Sequence, residues 1–199
     1  MKPPKNKYDF TAAVLAGGKN TRFYGETKAN IIINGRPLIE RTLDILQDVF
    51  SDVIIITNSR EEFKKYDYIR MAGDIYHNIG PLGGLHSALT HTEKSAVFLV
   101  ASDMPELSAS TIRHVAKSYE EIKCEALIPV YKGHIEPLHA IYDKSLLSRV
   151  EGFIKSGTKY SMKEFLHLVN DKYVEIEEKD GVINPFLNIN SPEDLQKWY

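Results

Sequence analysis

Cysteine is nearly missing: Cys124 stands alone among 199 residues. One thiol makes no intrachain disulfide and no zinc or iron–sulfur cluster, and a reducing, cytoplasmic setting is the default expectation. Long hydrophobic runs are missing too. None approaches the ~20 residues of a membrane-spanning helix, and the opening MKPPKNKYDF lacks the apolar core of a secretory signal. Excess charge of one sign is also missing, since the net value is −2. There is then no general electrostatic case for nucleic acid, and any positive field must be local. Metal-ligand spacing is missing among His77, His86, His91, His134 and His139, and no Ser–His–Asp or Cys–His arrangement can be argued. No internal repeat or low-complexity tract interrupts the chain. What is present, 43% hydrophobic and 26% charged residues, suits one α/β domain with a sizeable core. We expect a loose Lys- and Pro-rich arm over residues 1–10 and a single domain over residues 11–199.

The chain is organised around Thr11 to Lys28, TAAVLAGGKNTRFYGETK. Ala12 to Leu15 is a short apolar run, as in a buried parallel strand. It breaks at Ala16-Gly17-Gly18 into a polar loop carrying Lys19, Arg22 and Lys28. Adjacent glycines at a strand's carboxyl end let backbone N–H groups approach an anion without a Cβ in the way. Ligands of open α/β sheets bind at that end. Arg22 offers a planar fork for phosphate oxygens and Lys28 a movable point charge. The loop therefore reads as a cradle for a nucleoside triphosphate. It is neither G-x-x-x-x-G-K-[ST], because Lys28 lies ten residues past Gly18, nor G-x-G-x-x-G. An ordinary strand-to-helix turn would account for the glycines alone, but not for Arg22 and Lys28 beside them.

Further along, Ile31 to Ile33 is extended and closed by Asn34-Gly35. Pro37 suits the first turn of a helix whose core stripe is Leu38, Ile39, Leu43, Ile45, Leu46, Val49 and Phe50. Buried strands are expected at Val53–Thr57, Ala96–Val100 and Ala126–Val130, with weaker ones at Ile69–Met71 and Tyr173–Ile176. A polar helix is expected near Glu61–Tyr66. Asp74 to Leu85, DIYHNIGPLGGL, reads as loop, with a short helix opening near Gly84. Ser108 caps a helix to about Tyr119. Pro137 places the strand Glu136–Tyr142 at an edge or bulge. Helices follow at Lys144–Lys155 and Ser161–Val169, and Ser191-Pro192-Glu193-Asp194 opens a last one. Alternating strands and helices predict a three-layer α/β sandwich with a mostly parallel central sheet.

Several strand ends carry chemistry. Asp103 follows an uncharged strand and precedes a proline-fixed turn; it is either a ligand for a hard divalent ion or an Asx-turn former. Asn188 and Asn190 flank Ile189 on an extended piece, which points both amides to one side. Asp74, taken alone, is an unremarkable surface acid. Thr57 and Asn58 are alternative contacts after the second strand, with no ground to choose between them. Cys124 reads as a small half-buried apolar residue.

The string L-A-G-G-x-x-x-R-F, then Gly, then Lys resembles the signature loop of nucleotidyltransferases, most closely of molybdenum cofactor guanylyltransferases, with Tyr24 as an inserted residue. S-D-M-P-E-L resembles that family's magnesium-binding D-x-P segment. G-P-L-G-G, E-P-L-H-A-I-Y and N-I-N-S-P-E-D-L follow in the family's order, so the resemblance covers nearly the whole chain. It implies a Rossmann-like, nucleotide-diphospho-sugar transferase-like fold, and transfer of GMP from GTP to the phosphate of molybdopterin with release of pyrophosphate. It implies nucleotide contacts from Leu15, Ala16, Gly17, Gly18, Lys28, Thr57, Asn58, Asp74, Gly80, Pro81, Leu82, Gly83 and Asp103. Arg22, Lys28 and Asp103 become catalytic, and Mg²⁺ falls on Asp103, with Asn188 and Asn190 as further ligand candidates. Glu136, Pro137, His139 and Asn190 would face the second substrate, although His139 on residues alone reads as structural. Cofactor-delivery or acceptor proteins are candidate partners. The rival readings are a cytidylyltransferase, a sugar-phosphate nucleotidyltransferase, usually a longer chain, and a non-catalytic nucleotide-binding adaptor. The adaptor has no need of Lys28 and Asp103 together.

Overall fold

Strand β1 (Tyr8–Leu15) is the axis of the sheet. It lies between β4 (Phe50–Ile56) and β6 (Ala96–Ala101), parallel to both, with Leu15 opposite Ile56 and Ala101. Ala12 and Val14 face one hydrophobic layer while Ala13 and Leu15 face the other, which is why the run is apolar without alternation. The computed structural model describes residues 7–17, 28–157, 160–177 and 184–198. Within them β1 starts earlier than the expected arm boundary: the Tyr8 ring stacks on Phe10 at 6.1 Å and Phe10 is buried.

The sheet order is β10-β7-β9-β6-β1-β4-β5, where β5 is Arg70–Ala72, β7 Ala126–Tyr131, β9 His139–Asp143 and β10 Asp171–Glu175. β4 and β5 pair parallel, as do β7 and β10, while β9 runs antiparallel between β6 and β7. The strand expected at an edge is thus central. Pro137 misled because it stands just before the ladder, where its missing N–H is not needed; its carbonyl accepts from Tyr142 Oη at 2.8 Å. Two hairpins share one turn chemistry: β2 (Ile32–Ile33) and β3 (Arg36–Pro37) are joined by Asn34 and Gly35, and β7 and β8 (His134–Ile135) by Lys132 and Gly133. All four turn residues have positive φ, as a two-residue primed turn requires.

Helices α1 (Leu38–Val49) and α3 (Ala109–Glu121) cover one face, packing Leu43, Leu46, Ile112 and Val115 on Phe98 and Val100. Helices α2 (Pro81–His91), α4 (Leu147–Lys155) and α5 (Met162–Leu166) cover the other, around Val97, Leu99 and Tyr142. The result is the expected three-layer sandwich. Pro37 sits immediately before α1 rather than inside its first turn. The polar stretch Arg60–Tyr66 and the last helix, Pro192–Trp198, are 3-10 rather than α.

The larger correction is α2, which begins at Pro81 and contains Gly83 and Gly84. Those glycines mark close approach rather than a loop. A Cβ on Gly83 would lie 2.7 Å from the Tyr76 carbonyl oxygen, and one on Gly84 2.6 Å from Leu15 Cδ2. Gly80 precedes the helix at φ 64° and ψ −150°, a conformation suited to glycine, and Pro81 takes the first helical position. Cys124 is half-buried, and burial pushes its thiol pKa up. Among the described residues no helix is long and apolar enough to cross a membrane.

Candidate active site

The carboxyl ends of β1, β4, β5 and β6 converge on one cleft of about 770 Å³. Backbone bonds stitch these ends together: Ser102 N donates to Leu15 O at 3.1 Å, Ala16 N to Ile56 O at 2.9 Å and Thr57 N to Ala72 O at 2.8 Å. Position at the sheet edge is therefore set by the ladder itself, and the loops only present what the strands align.

On the β6 side, Asp103 lines the cleft and its Oδ2 accepts from Lys28 Nζ at 3.0 Å. Lys28 comes from the far end of the glycine loop, in the short 3-10 turn Lys28–Asn30. The backbone oxygen of Asp103 accepts from Ile189 N at 2.9 Å. That bond seats Asn188 and Asn190 in the same cleft, both on its lining as their spacing predicts. Ile189 between them is fully buried against Ile33 and Leu38. Asp194 Oδ2 accepts from the backbone N–H of Asn190 and Ser191, holding the following turn. Asn188 Nδ2 donates to Phe186 O at 3.3 Å, while its Oδ1 is buried and has no partner among the described residues.

On the β5 side, Asp74 and Asn58 bind each other twice. Asn58 Nδ2 donates to Asp74 Oδ2, and Asp74 N donates to Asn58 Oδ1, each at 2.8 Å. Of the two candidates after β4, Thr57 is 2% exposed and its Oγ1 accepts from Ser59 N, whereas Asn58 holds the acid; both stand on the cleft lining. Gly73 makes room: a Cβ there would lie 3.1 Å from Asn58 Oδ1. Gly17, by contrast, lines the cleft with no atom of the described residues within 4 Å of a Cβ.

Of the other residues expected here, Leu15, Gly80 and Pro81 line the cleft. Leu82 does not; it is fully buried in the α2 core. Ala16 is 1% exposed and Gly83 is pressed on Tyr76, so neither reaches the cleft. Gly18 and Arg22 lie outside the described residues, as do Lys19 and Tyr24. The expectation for His139 is corrected: it is wholly buried, its ring edge-on to Phe98 at 5.1 Å and Phe186 at 4.8 Å. Burial pushes its pKa down to about 3, so it is a neutral packing residue rather than a substrate contact. Glu136 and Pro137 stand half-buried in the turn before β9, off the cleft lining, and burial pushes Glu136 up to about 7 against the pull of Lys163. Leu138 reaches the cleft instead. Ser102 and Asn78 also line it and were missed, although Ser102 neighbours Asp103 and Asn78 neighbours the G-P-L-G-G string.

The donor set suits a hard divalent ion. Asp103 supplies one carboxylate, and Asn188 an amide oxygen with no partner among the described residues. Among the described residues no group of three acidic, His or Cys side chains forms a protein-only cage. That leaves room for water and phosphate oxygens, as magnesium prefers.

A strand-end cleft with the Asn58–Asp74 pair on one side and the Lys28–Asp103 pair on the other, in a mostly parallel sheet, is that of a nucleotidyltransferase-type α/β sandwich. The family model "MobA-like NTP transferase domain" matches residues 12–172, and the chain belongs to that family. It is 34% identical over 194 residues to a probable molybdenum cofactor guanylyltransferase of Clostridium perfringens, covering 94% of each. It is also 34% identical over 189 residues to a probable molybdenum cofactor guanylyltransferase of Pyrococcus furiosus, covering 93% of this chain and 94% of the relative. Among solved structures, molybdopterin-guanine dinucleotide biosynthesis protein A from Archaeoglobus fulgidus is similar at TM-score 0.80 and 28% identity, covering 94% of this chain and 96% of that one.

Proposed function

We propose that this protein transfers GMP from GTP to the phosphate of molybdopterin and releases pyrophosphate. The observation that carries the reading is the meeting of Lys28 and Asp103 in the cleft that Asp74 enters from the opposite side. β5 and β6 are separated by β4 and β1, three strand spacings or about 14 Å. That span lets a nucleotide lie across the strand ends, base toward Asp74 and phosphates toward Lys28. Asp74 Oδ2 is held by Asn58, which leaves Oδ1 as acceptor for a guanine edge. Gly17 leaves space for a two-ring base.

The nucleophile is already an anionic phosphate, so no strong base is needed, and catalysis is positioning plus charge neutralisation. Lys28 binds the leaving phosphates, and Gly17, Gly18 and Arg22 are the other residues we assign to the phosphates. Asp103, with Asn188 beside it, would hold Mg²⁺. When bound, that ion neutralises charge on the triphosphate. Asn190 is the residue we assign to the second substrate, at the end of the cleft where Asp103 lies. The setting we assign is the cytoplasm, with cofactor-delivery or acceptor proteins as partners.

Side-by-side turnover with GTP, CTP and ATP, molybdopterin and Mg²⁺ tests the reading. We expect GTP to be preferred over CTP by at least ~10-fold in kcat/KM, because a base mismatched to Asp74 forfeits hydrogen bonds to a charged acceptor worth about 1.5–3 kcal/mol. Equal use of CTP would move the protein to a cytidylyltransferase. Asp103→Ala should cut turnover by orders of magnitude while GTP binding without metal changes less.

A further inference from the structure

Asp103 already carries a cation. Lys28 Nζ sits 3.0 Å from its Oδ2, and both side chains are only 20% exposed. The contact is not a chance meeting of long surface chains. Lys28 opens a 3-10 turn whose next residue, Ala29, is fully buried, and its carbonyl accepts from Ile31 N at 3.1 Å. Asp103 is pinned through its own carbonyl to Ile189. The backbone thus fixes both ends of the pair, while the four-carbon stem gives the ammonium a reach that the short carboxylate lacks.

Resting on the nucleotide reading above, we infer that Lys28 is a resident counterion that keeps a divalent cation off Asp103 until a triphosphate draws the ammonium away, so that metal and nucleotide bind cooperatively. Two cations on one carboxylate repel, and the repulsion is weakly screened where water is partly excluded. Among the described residues the other donors at this place, the Asn188 and Asn190 amides, carry no charge, so the charge offered to a metal before nucleotide rests on Asp103. An incoming triphosphate offers Lys28 several anionic oxygens in exchange for one carboxylate. Its arrival releases Asp103 and brings further oxygen ligands at the same moment. Linkage makes the effect reciprocal: whatever factor the nucleotide adds to metal affinity, the metal adds to nucleotide affinity.

Titration of Mn²⁺ into the protein with no nucleotide, following free Mn²⁺ by its electron paramagnetic resonance signal, tests this directly. Lys28→Met and Lys28→Gln should each bind Mn²⁺ at least about fivefold tighter than the native protein, the scale of a released, partly exposed ion pair. Adding Asp103→Asn to Lys28→Met should return the affinity to the weak native value or below. Unchanged or weaker Mn²⁺ binding in both single variants overturns the counterion role and leaves the nucleotide reading untouched. A native protein that binds no GTP in the presence of Mn²⁺ overturns the nucleotide reading, and this inference with it.

Discussion

Asn58 never needs to touch the base to affect its recognition. It holds one oxygen of Asp74 and receives that residue's backbone N–H, so its loss frees the acid to rotate. Asn58→Ala should raise KM for GTP about fivefold with kcat near native, as expected for one lost hydrogen bond; steady-state kinetics with GTP decides it. Two other residues write opposite slopes into stability. His139 has its pKa depressed to about 3 by burial, so the unfolded chain binds a proton first as pH falls below ~6.5. Its contribution lowers stability toward acid by up to about 1.4 kcal/mol per pH unit. Glu136 is raised to about 7, so the folded state keeps a proton that the unfolded chain releases above ~4.3, and its contribution lowers stability as pH rises to 7. Urea unfolding at pH 5 and 7.5 should show His139→Phe losing the acid sensitivity. Glu136→Gln should gain stability relative to the native protein at the higher pH.

At the scale of elements, α2 is where local rules and tertiary context part. A glycine inside a helix is costly in isolation, so G-P-L-G-G reads as loop. In the fold, Gly83 is required because the Tyr76 carbonyl occupies the place of its Cβ. Gly83→Ala should therefore destabilise by about 1–3 kcal/mol, and by displacing the Tyr76–Gly80 loop should weaken nucleotide binding. Gly84→Ala meets only the flexible tip of Leu15 and should cost less; thermal melts of both variants give the ranking. The strands β1, β4, β6 and β7 were legible because each is buried on both faces and so written as an apolar run. Pro137 was misread because the rule about proline concerns ladder N–H groups, and its residue stands outside the ladder. Asp103, Asn188 and Asn190 were legible from strand ends and a two-residue spacing. The Asn58–Asp74 pair was not, since sequence does not say which turns meet. Nor does it say that His139 faces Phe98 and Phe186 rather than the cleft.

For the whole molecule, the sheet divides into a parallel nucleotide half, β5-β4-β1-β6, and a flank, β9-β7-β10, entered through the one central antiparallel strand. A ligand lying across four strand ends should stabilise the entire domain, because those strands carry both hydrophobic layers. GTP with Mg²⁺ at about 100 times Kd adds about 2.7 kcal/mol. For a domain of this size that is a rise in Tm of about 5–10 °C. CTP at the same concentration should give a smaller rise in differential scanning fluorimetry, and an equal rise would count against guanine selectivity.

The bond from Ile189 to Asp103 also has a consequence in time. Every strand of the nucleotide half, and Asp103 itself, is made long before the segment that seats Asn188 and Asn190. A chain that has emerged as far as Glu175 carries all ten strands of the described residues, yet Ile189, which packs on Ile33 and Leu38, has still to follow. The wall beside Asp103 is thus among the last parts of the described chain to be made, and it is added to a sheet whose strands are already present.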